Sequence, residues 1–393
     1  MKAVRWHGVG DVRVEDVPDP VIQEPTDAII RVTSTAICGS DLHLYSTLGM
    51  YLDEGDVLGH EAMGIVEDVG AEVAHIAPGD RVVIPFNISC GRCFMCERDL
   101  YAQCETTQVT EHGKGAALFG YTKLYGSVPG GQADRIRVPQ AHFGPITVPD
   151  EHPDERFLYL SDILPTAWQA VADADIPAGG SVAVFGLGPV GQFAARIALR
   201  GPARTVIGIE PVPERIAMAQ RWGVRTIDPT DADDVPAALR ELTAGRGPDA
   251  VIDAVGMEAH GAPVAAMLQR ATGFLPDPVA ERLTETVGVD RMRVLHEAID
   301  AVRRGGTVSV VGVYGGAVDP MPMMQMFDKG ITIRMGQAHV RRWTAEIMPL
   351  LVDEDLLGTE DLATHRLPLT EAPHGYEIFQ KKQDGAIKVI LTP

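Results

Sequence analysis

Four cysteines follow one another as Cys90-Gly-Arg-Cys93-Phe-Met-Cys96 and then Cys104, the pattern C-x2-C-x2-C-x7-C. That spacing brings four soft thiolates within reach of one tetrahedral Zn²⁺ and fills every coordination position, which makes a closed, structural site. A redox dithiol is the competing reading of Cys93 and Cys96, and two further cysteines at metal spacing count against it. The remaining cysteine, Cys38, opens Cys38-Gly39-Ser40-Asp41-Leu42-His43, well upstream of Gly59-His60-Glu61. Cys38 and His60 read as two ligands of a second metal whose shell is incomplete. The expectation is therefore two zinc ions per chain, one closed and one open.

A third constellation is Val182-Ala-Val-Phe-Gly186-Leu-Gly188-Pro189-Val190-Gly191, an apolar strand running into G-x-G-x-x-G and a helix. Gly186 permits the tight turn, Gly188 lets the backbone approach a pyrophosphate, and Gly191 allows close packing of helix on strand. The helix N-terminus offers N–H groups and partial positive charge to phosphates. Glu210 ends the next strand-like run about 20 residues on, where an acid binds the adenosine ribose hydroxyls. A carboxylate there repels a 2′-phosphate, so NAD is favoured over NADP. Arg215 nearby could take such a phosphate; with the acid in place it reads as a cover for the adenine side.

These residues need elements to hold them. The first part of the chain reads as short strands broken by Gly and Pro: Ala28–Thr33, Ala62–Val69, Arg81–Pro85 and Arg135–Val138, an irregular β domain built around loops. Near Ser161 the pattern changes to strands alternating with helices. Ser181–Phe185, a helix Pro189–Leu199, Thr205–Glu210, a helix Pro213–Trp222, Ala250–Ala254 and Thr307–Val311 predict a parallel, doubly wound sheet. A late strand, Ala386–Leu391, could return to the first domain. Two longer segments, Thr110–Gly131 and 257–293, look like insertions that bear on substrate and assembly.

The formal charge of −20 over 393 residues argues against nucleic acid as a partner. No apolar run is long enough to span a bilayer, and Met1-Lys2-Ala3-Val4-Arg5 leads straight into a strand-like pattern rather than a signal sequence. A cytoplasmic protein is expected, where clustered thiols more often bind metal than pair as disulfides.

Taken together and in this order, the Cys38–His43 segment, Gly59-His60-Glu61, the four-cysteine cluster and the glycine loop resemble the zinc-dependent medium-chain alcohol dehydrogenases. The resemblance covers essentially the whole chain. It implies an α/β protein: a GroES-like, mostly β catalytic domain over 1–163 and 336–393, with a structural zinc lobe at about 88–106, and a Rossmann NAD-binding domain over 164–335. Within the family Cys38 and His60 match catalytic zinc ligands, and Glu61 matches an acid that can enter the metal's shell. Many members supply a further cysteine just before the nucleotide domain, and this chain has none left. The segment there reads Ser161-Asp162-Ile163-Leu164-Pro165-Thr166. Its wording resembles the glutathione-independent formaldehyde dehydrogenase-like branch, which uses an aspartate, so Asp162 becomes the expected third ligand. Otherwise Asp162 is a helix N-cap.

The same resemblance assigns Ser40 as the hydroxyl that receives the substrate proton and His43 as the base that passes it on. Asp41 matches the carboxylate that orients His60, although it could equally be a turn or cap residue. Thr166, Val255, Gly256 and Val313 match cofactor-side positions, and Lys388 a late basic residue that reaches the pyrophosphate; a solvated charge is the other reading of Lys388. Gly39 stands where some alcohol dehydrogenases carry an arginine on that pyrophosphate. The implied reaction is hydride transfer from an alcohol or hydrated aldehyde, formaldehyde being the specific expectation, to NAD⁺. The alternatives are a polyol or sorbitol-type dehydrogenase and a catalytically silent NAD-binding zinc protein. A homo-oligomer is expected, a tetramer before a dimer.

Overall fold

The computed structural model describes residues 1–256, 292–314 and 321–393. The expected insertion at 257–293 lies almost wholly outside them. The chain divides into two compact units, Met1–Pro165 with Ala338–Pro393, and Thr166–Gln337. The divisions expected from sequence fell after residues 163 and 335.

The first unit opens with a hairpin, β1 (Lys2–Gly8) and β2 (Asp11–Asp16). Its centre is β3 (Ala28–Ile37), AIIRVTSTAI, a run rich in β-branched residues that suits a strand covered on both faces. β4 (Glu61–Val69) pairs antiparallel with β3, and β5 (Arg81–Ile84) with β4. β6 (Arg135–Val138) pairs with the first half of β3, and β7 (Ile146–Thr147) with β5. The core beneath this sheet includes Ile30, Val32, Val66, Val82, Ile84 and Phe119.

The second unit carries β8 (Gly180–Phe185), β9 (Ala203–Ile209), β10 (Arg225–Ile227), β11 (Ala250–Asp253), β12 (Thr307–Val310) and β13 (Thr332–Met335), all parallel. Their order is β10-β9-β8-β11-β12-β13. Counted from β8, that is 3-2-1-4-5-6, the doubly wound arrangement in which ligands bind where the strand order reverses, between β8 and β11. Val251, Ile207, Phe185 and Val308 face Leu239, Leu295 and Ile299 of the covering helices.

The chain then returns to the first unit. β14 (His365–Pro368) pairs parallel with β15 (Val389–Thr392), and β15 pairs antiparallel with the end of β3. On the register, Ala36 lies opposite Glu61 and Ile37 opposite Val389. Cys38, Glu61 and Lys388 therefore stand at one end of three neighbouring strands, and this adjacency builds the open metal site. Among the described residues no helix is long and apolar enough to cross a membrane.

Candidate metal centre and nucleotide site

The loop after β5 gathers Cys90, Cys93, Cys96 and Cys104, whose sulfurs all lie within 4.8 Å of one another. Cys93 Sγ is 3.9 Å from Cys104 Sγ. The backbone supplies compensation for thiolate charge: the Cys90 N–H donates to Cys104 Sγ, and the Glu105 N–H to Cys93 Sγ, each at 3.4 Å. Thr106 Oγ1 donates to Cys90 Sγ at 3.1 Å. At Cys93 burial favours the neutral thiol, but the N–H groups of Cys96 and Glu105 outweigh it and bring the pKa down to about 6. Four sulfurs gathered in one shell fit a tetrahedral zinc with no open position.

The second donor set is Cys38, His60, Glu61 and Asp162, all buried, with one ligating atom from each within 4.8 Å of the others. Cys38 directly follows β3 and caps the helix Gly39–Ser46; His60 and Glu61 stand at the start of β4; Asp162 follows a short 3-10 turn, Tyr159–Ser161. Asp162 Oδ2 lies 3.4 Å from Cys38 Sγ and 3.2 Å from His60 Nε2. Zinc bonds of roughly 2.0–2.3 Å place tetrahedral ligands about 3.3–3.8 Å apart, so these three atoms fit one ion. Ser40 Oγ sits 3.1 Å from His60 Nε2, on the same face. His43 is buried one turn further along that helix.

Asp41 turns toward both ligands. Its Oδ2 accepts the Cys38 N–H at 2.9 Å, half of a capping box, while Oδ1 faces His60 Nδ1 at 3.0 Å. Among the described residues neither Asp41 Oδ1 nor His60 Nδ1 has another partner. That places the imidazole proton on Nδ1 and leaves the Nε2 lone pair for the metal. Burial works against charge on His60, but Asp41 and Asp162 outweigh it and raise the pKa well above the usual histidine value. The Cys38 thiol is pushed up to about 11, by burial first and then by Glu61 and Asp162. The three acidic members of the set, Cys38, Glu61 and Asp162, oppose one another's ionisation, and a bound cation would relieve that.

Lys388 is not where the resemblance put it. Rather than reaching a pyrophosphate, its side chain is fully buried, with Nζ 2.5 Å from Glu61 Oε1 and 3.1 Å from the Ile37 carbonyl. Burial opposes the ammonium, yet Glu61 and Cys38 outweigh it and hold its pKa above the ordinary lysine value. Among the described residues the buried Glu61 Oε2 has no hydrogen-bond partner, which leaves an acceptor beside Cys38, His60 and Asp162.

In the second unit the glycine loop follows β8. Gly186 has φ +83°, and Gly191 is obligatory because a Cβ there would meet the Gly186 carbonyl at 1.8 Å. A Cβ on Gly188 would meet only Arg215 Nη1, at 3.8 Å. The space at Gly188 is therefore not needed by the protein's own packing, which suits the close approach of a phosphate. Pro189 opens the helix Pro189–Arg200 at a position where its missing N–H costs nothing, with Val190 following in its first turn. Glu210 is almost fully buried; it accepts from the Leu187 N–H at 2.8 Å and the Val212 N–H at 3.0 Å, and Arg215 Nη1 lies 3.7 Å away. It therefore braces the glycine turn. Gly256 packs against Val313, and Asp253, missed in the sequence, accepts from the Val255 and Gly256 N–H groups and from Tyr314 at 2.6 Å. Thr166 is the first residue of this unit.

The open site has aromatic neighbours that sequence reasoning also missed. The rings of Tyr121 and Phe86 lie edge-on to His60 at 6.1 and 6.3 Å. Tyr121 belongs to the insertion-like segment 110–131, so that segment contributes to the metal's surroundings. No local pattern marks either ring.

A parallel sheet with a glycine-rich turn at its reversal point, in a chain that also gathers one closed and one open zinc-type donor set, defines a zinc-binding dehydrogenase. Residues 24–150 match the alcohol dehydrogenase GroES-like domain and residues 189–274 match zinc-binding dehydrogenase. The chain belongs to the zinc-dependent medium-chain alcohol dehydrogenase family. It is 41% identical over 398 residues to the zinc-type alcohol dehydrogenase-like protein AdhB of Bacillus subtilis, covering 100% of both chains. It is 32% identical to formaldehyde dismutase of Pseudomonas putida, covering 100% of this chain and 97% of that one. Among solved structures, alcohol dehydrogenase TADH from Thermus sp. ATN1 superposes with a TM-score of 0.82 at 34% identity, covering 100% and 99%.

Proposed function

We propose that the protein oxidises a small alcohol or hydrated aldehyde, formaldehyde first among them, with NAD⁺ as hydride acceptor. The observation that carries this reading is the convergence of Cys38, His60 and Asp162 within tetrahedral distance, with the Ser40 hydroxyl on the same face. Cys38, His60 and Asp162 would hold a zinc ion, which would supply Lewis acidity to lower the pKa of a substrate hydroxyl. Ser40 receives the proton and His43 passes it on, since an imidazole can accept a proton on one ring nitrogen and give one up from the other. Asp41 keeps the His60 proton on Nδ1 throughout. Glu61, tethered to Lys388, would offer a fourth donor to that ion.

The Gly186–Gly191 turn cradles the coenzyme pyrophosphate, and Glu210 disfavours a 2′-phosphate, which supports NAD over NADP. Formaldehyde rests on the aspartate ligand and on the dismutase relative; in water it is a geminal diol, so the same hydride step yields formate. Purified protein supplied with NAD⁺ and formaldehyde is expected to give one NADH and one formate per aldehyde consumed. Equal methanol and formate without net NADH means that the coenzyme stays bound and recycles. Turnover only with polyols moves the protein to the sorbitol type, and no turnover with any alcohol, polyol or aldehyde sinks the enzyme reading.

A cytoplasmic setting suits five cysteines that are all free. A homo-oligomer is supported by an apolar face on the second unit, where Met323, Met324, Phe327 and Met335 are 64%, 79%, 85% and 67% exposed beside the terminal strand β13. Light scattering is expected to give a mass above that of one chain, a tetramer before a dimer; a monomer at micromolar concentration would rule this out.

A further inference from the structure

Behind the open metal site runs a line of buried polar groups that the proposed reaction does not use. Gln132 and Tyr376 are both fully buried, far from each other in sequence, and have no role in the chemistry described above. The Tyr376 hydroxyl donates to Gln132 Oε1 at 2.8 Å. Gln132 Nε2 donates to the Ala36 carbonyl at 3.2 Å and to Asp41 Oδ2 at 3.3 Å. Asp41 Oδ1 then faces His60 Nδ1, and His60 Nε2 faces Asp162. Resting on the metal-site reading above, we propose that Gln132 is a positioning residue for the open zinc, fixing Asp41 and through it His60, with Tyr376 fixing the orientation of the Gln132 amide.

The polarity of the line admits one arrangement. A flipped Gln132 amide would set its oxygen against the Ala36 carbonyl and the Asp41 carboxylate, both acceptors, and would turn its NH₂ toward the tyrosine oxygen. With Asp41 Oδ2 already taking the Cys38 N–H and a Gln132 N–H, the remaining oxygen is left for the imidazole. The residue is also clamped by its backbone. Its N–H donates to the Leu58 carbonyl at 3.0 Å, and its carbonyl accepts from the Val4 N–H at 2.8 Å. Gly59, next to His60, has φ +97°, and a Cβ there would strike Gln132 Cγ at 2.3 Å. Glycine at 59 thus makes room for the glutamine beside the ligand.

Outer partners of a metal-bound histidine typically change metal affinity by about 10–100-fold when removed; one bond further out, the lower end applies. The test follows zinc release to a colorimetric chelator and the visible spectrum of cobalt(II) at the open site. In the parent, a faster phase from the open site and a slower one from the cysteine lobe are expected. Gln132→Leu should speed the first phase about tenfold and shift the cobalt bands, leaving the second phase alone. Tyr376→Phe keeps the ring and its packing on Tyr45, and should show the same change more weakly, which decides the matter if the leucine variant does not fold. An unchanged open-site phase in a folded variant, or equal acceleration of both phases, overturns the proposal. A parent that holds only the cysteine-lobe zinc overturns the metal-site reading itself, and this proposal with it.

Discussion

Asp162→Ala is expected to lose the open-site zinc while keeping the cysteine-lobe zinc, so metal content falls from about two ions per chain to about one. The geometry leaves the remaining pair weak. With Asp162 gone, Cys38 and His60 are two ligands where a catalytic zinc keeps three. Turnover should fall by at least about 100-fold, since even indirect supports of a zinc ligand are worth up to that much. Asp162→Cys should retain metal, because a thiolate is a common third donor. Elemental analysis alongside initial rates checks both variants. Full zinc and full activity in Asp162→Ala would make Glu61 the third ligand, its unpartnered Oε2 being the next donor to hand.

Lys388→Met is expected to cost about 3–5 kcal/mol of unfolding free energy, the usual result when one partner of a fully buried ion pair is removed. Both side chains are completely inaccessible. The carboxylate left behind must either take a proton or move to the metal, which gives the variant a second signature. In zinc-replete buffer Glu61 can close the open position, so activity should fall while metal is held more tightly. Denaturant titration combined with the chelator assay reads both effects. A Lys388→Met protein as stable as its parent would show that Glu61 is neutral or metal-bound from the start.

The two predictions differ in how visible their residues are in the sequence. The cysteine lobe and the glycine turn are local: spacing along the chain determines spacing in space, and both were legible from the residues alone. Asp162 was marked by a gap, since the family resemblance called for a third ligand and no cysteine remained to supply it; the structure brings its carboxylate to Cys38 and His60. Lys388 was legible only as a basic residue in a late strand, and its destination was misjudged. Its pairing with Glu61 depends on β15 and β4 flanking β3, an adjacency with no short-range signature. Gln132 and Tyr376 were invisible for the same reason: glutamine and tyrosine are ordinary residues until the sheet brings them to Asp41. The end of β3 was also read too short. Ser34-Thr35-Ala36-Ile37 has no alternation, yet it stays extended because β4 and β15 pair on either side.

The place of β15 in the sheet has a consequence for how the chain is made. Every ligand of the open site has been synthesised by residue 162, but the strand that completes β3 begins at Val389. All of Thr166–Gln337 emerges in between and forms a compact unit of its own. During synthesis the end of β3 must therefore wait with one edge unpaired while that unit folds, since domains generally fold as they emerge. The unit that holds the open donor set starts first and finishes last, and its longest-range strand pairing is expected to form slowly.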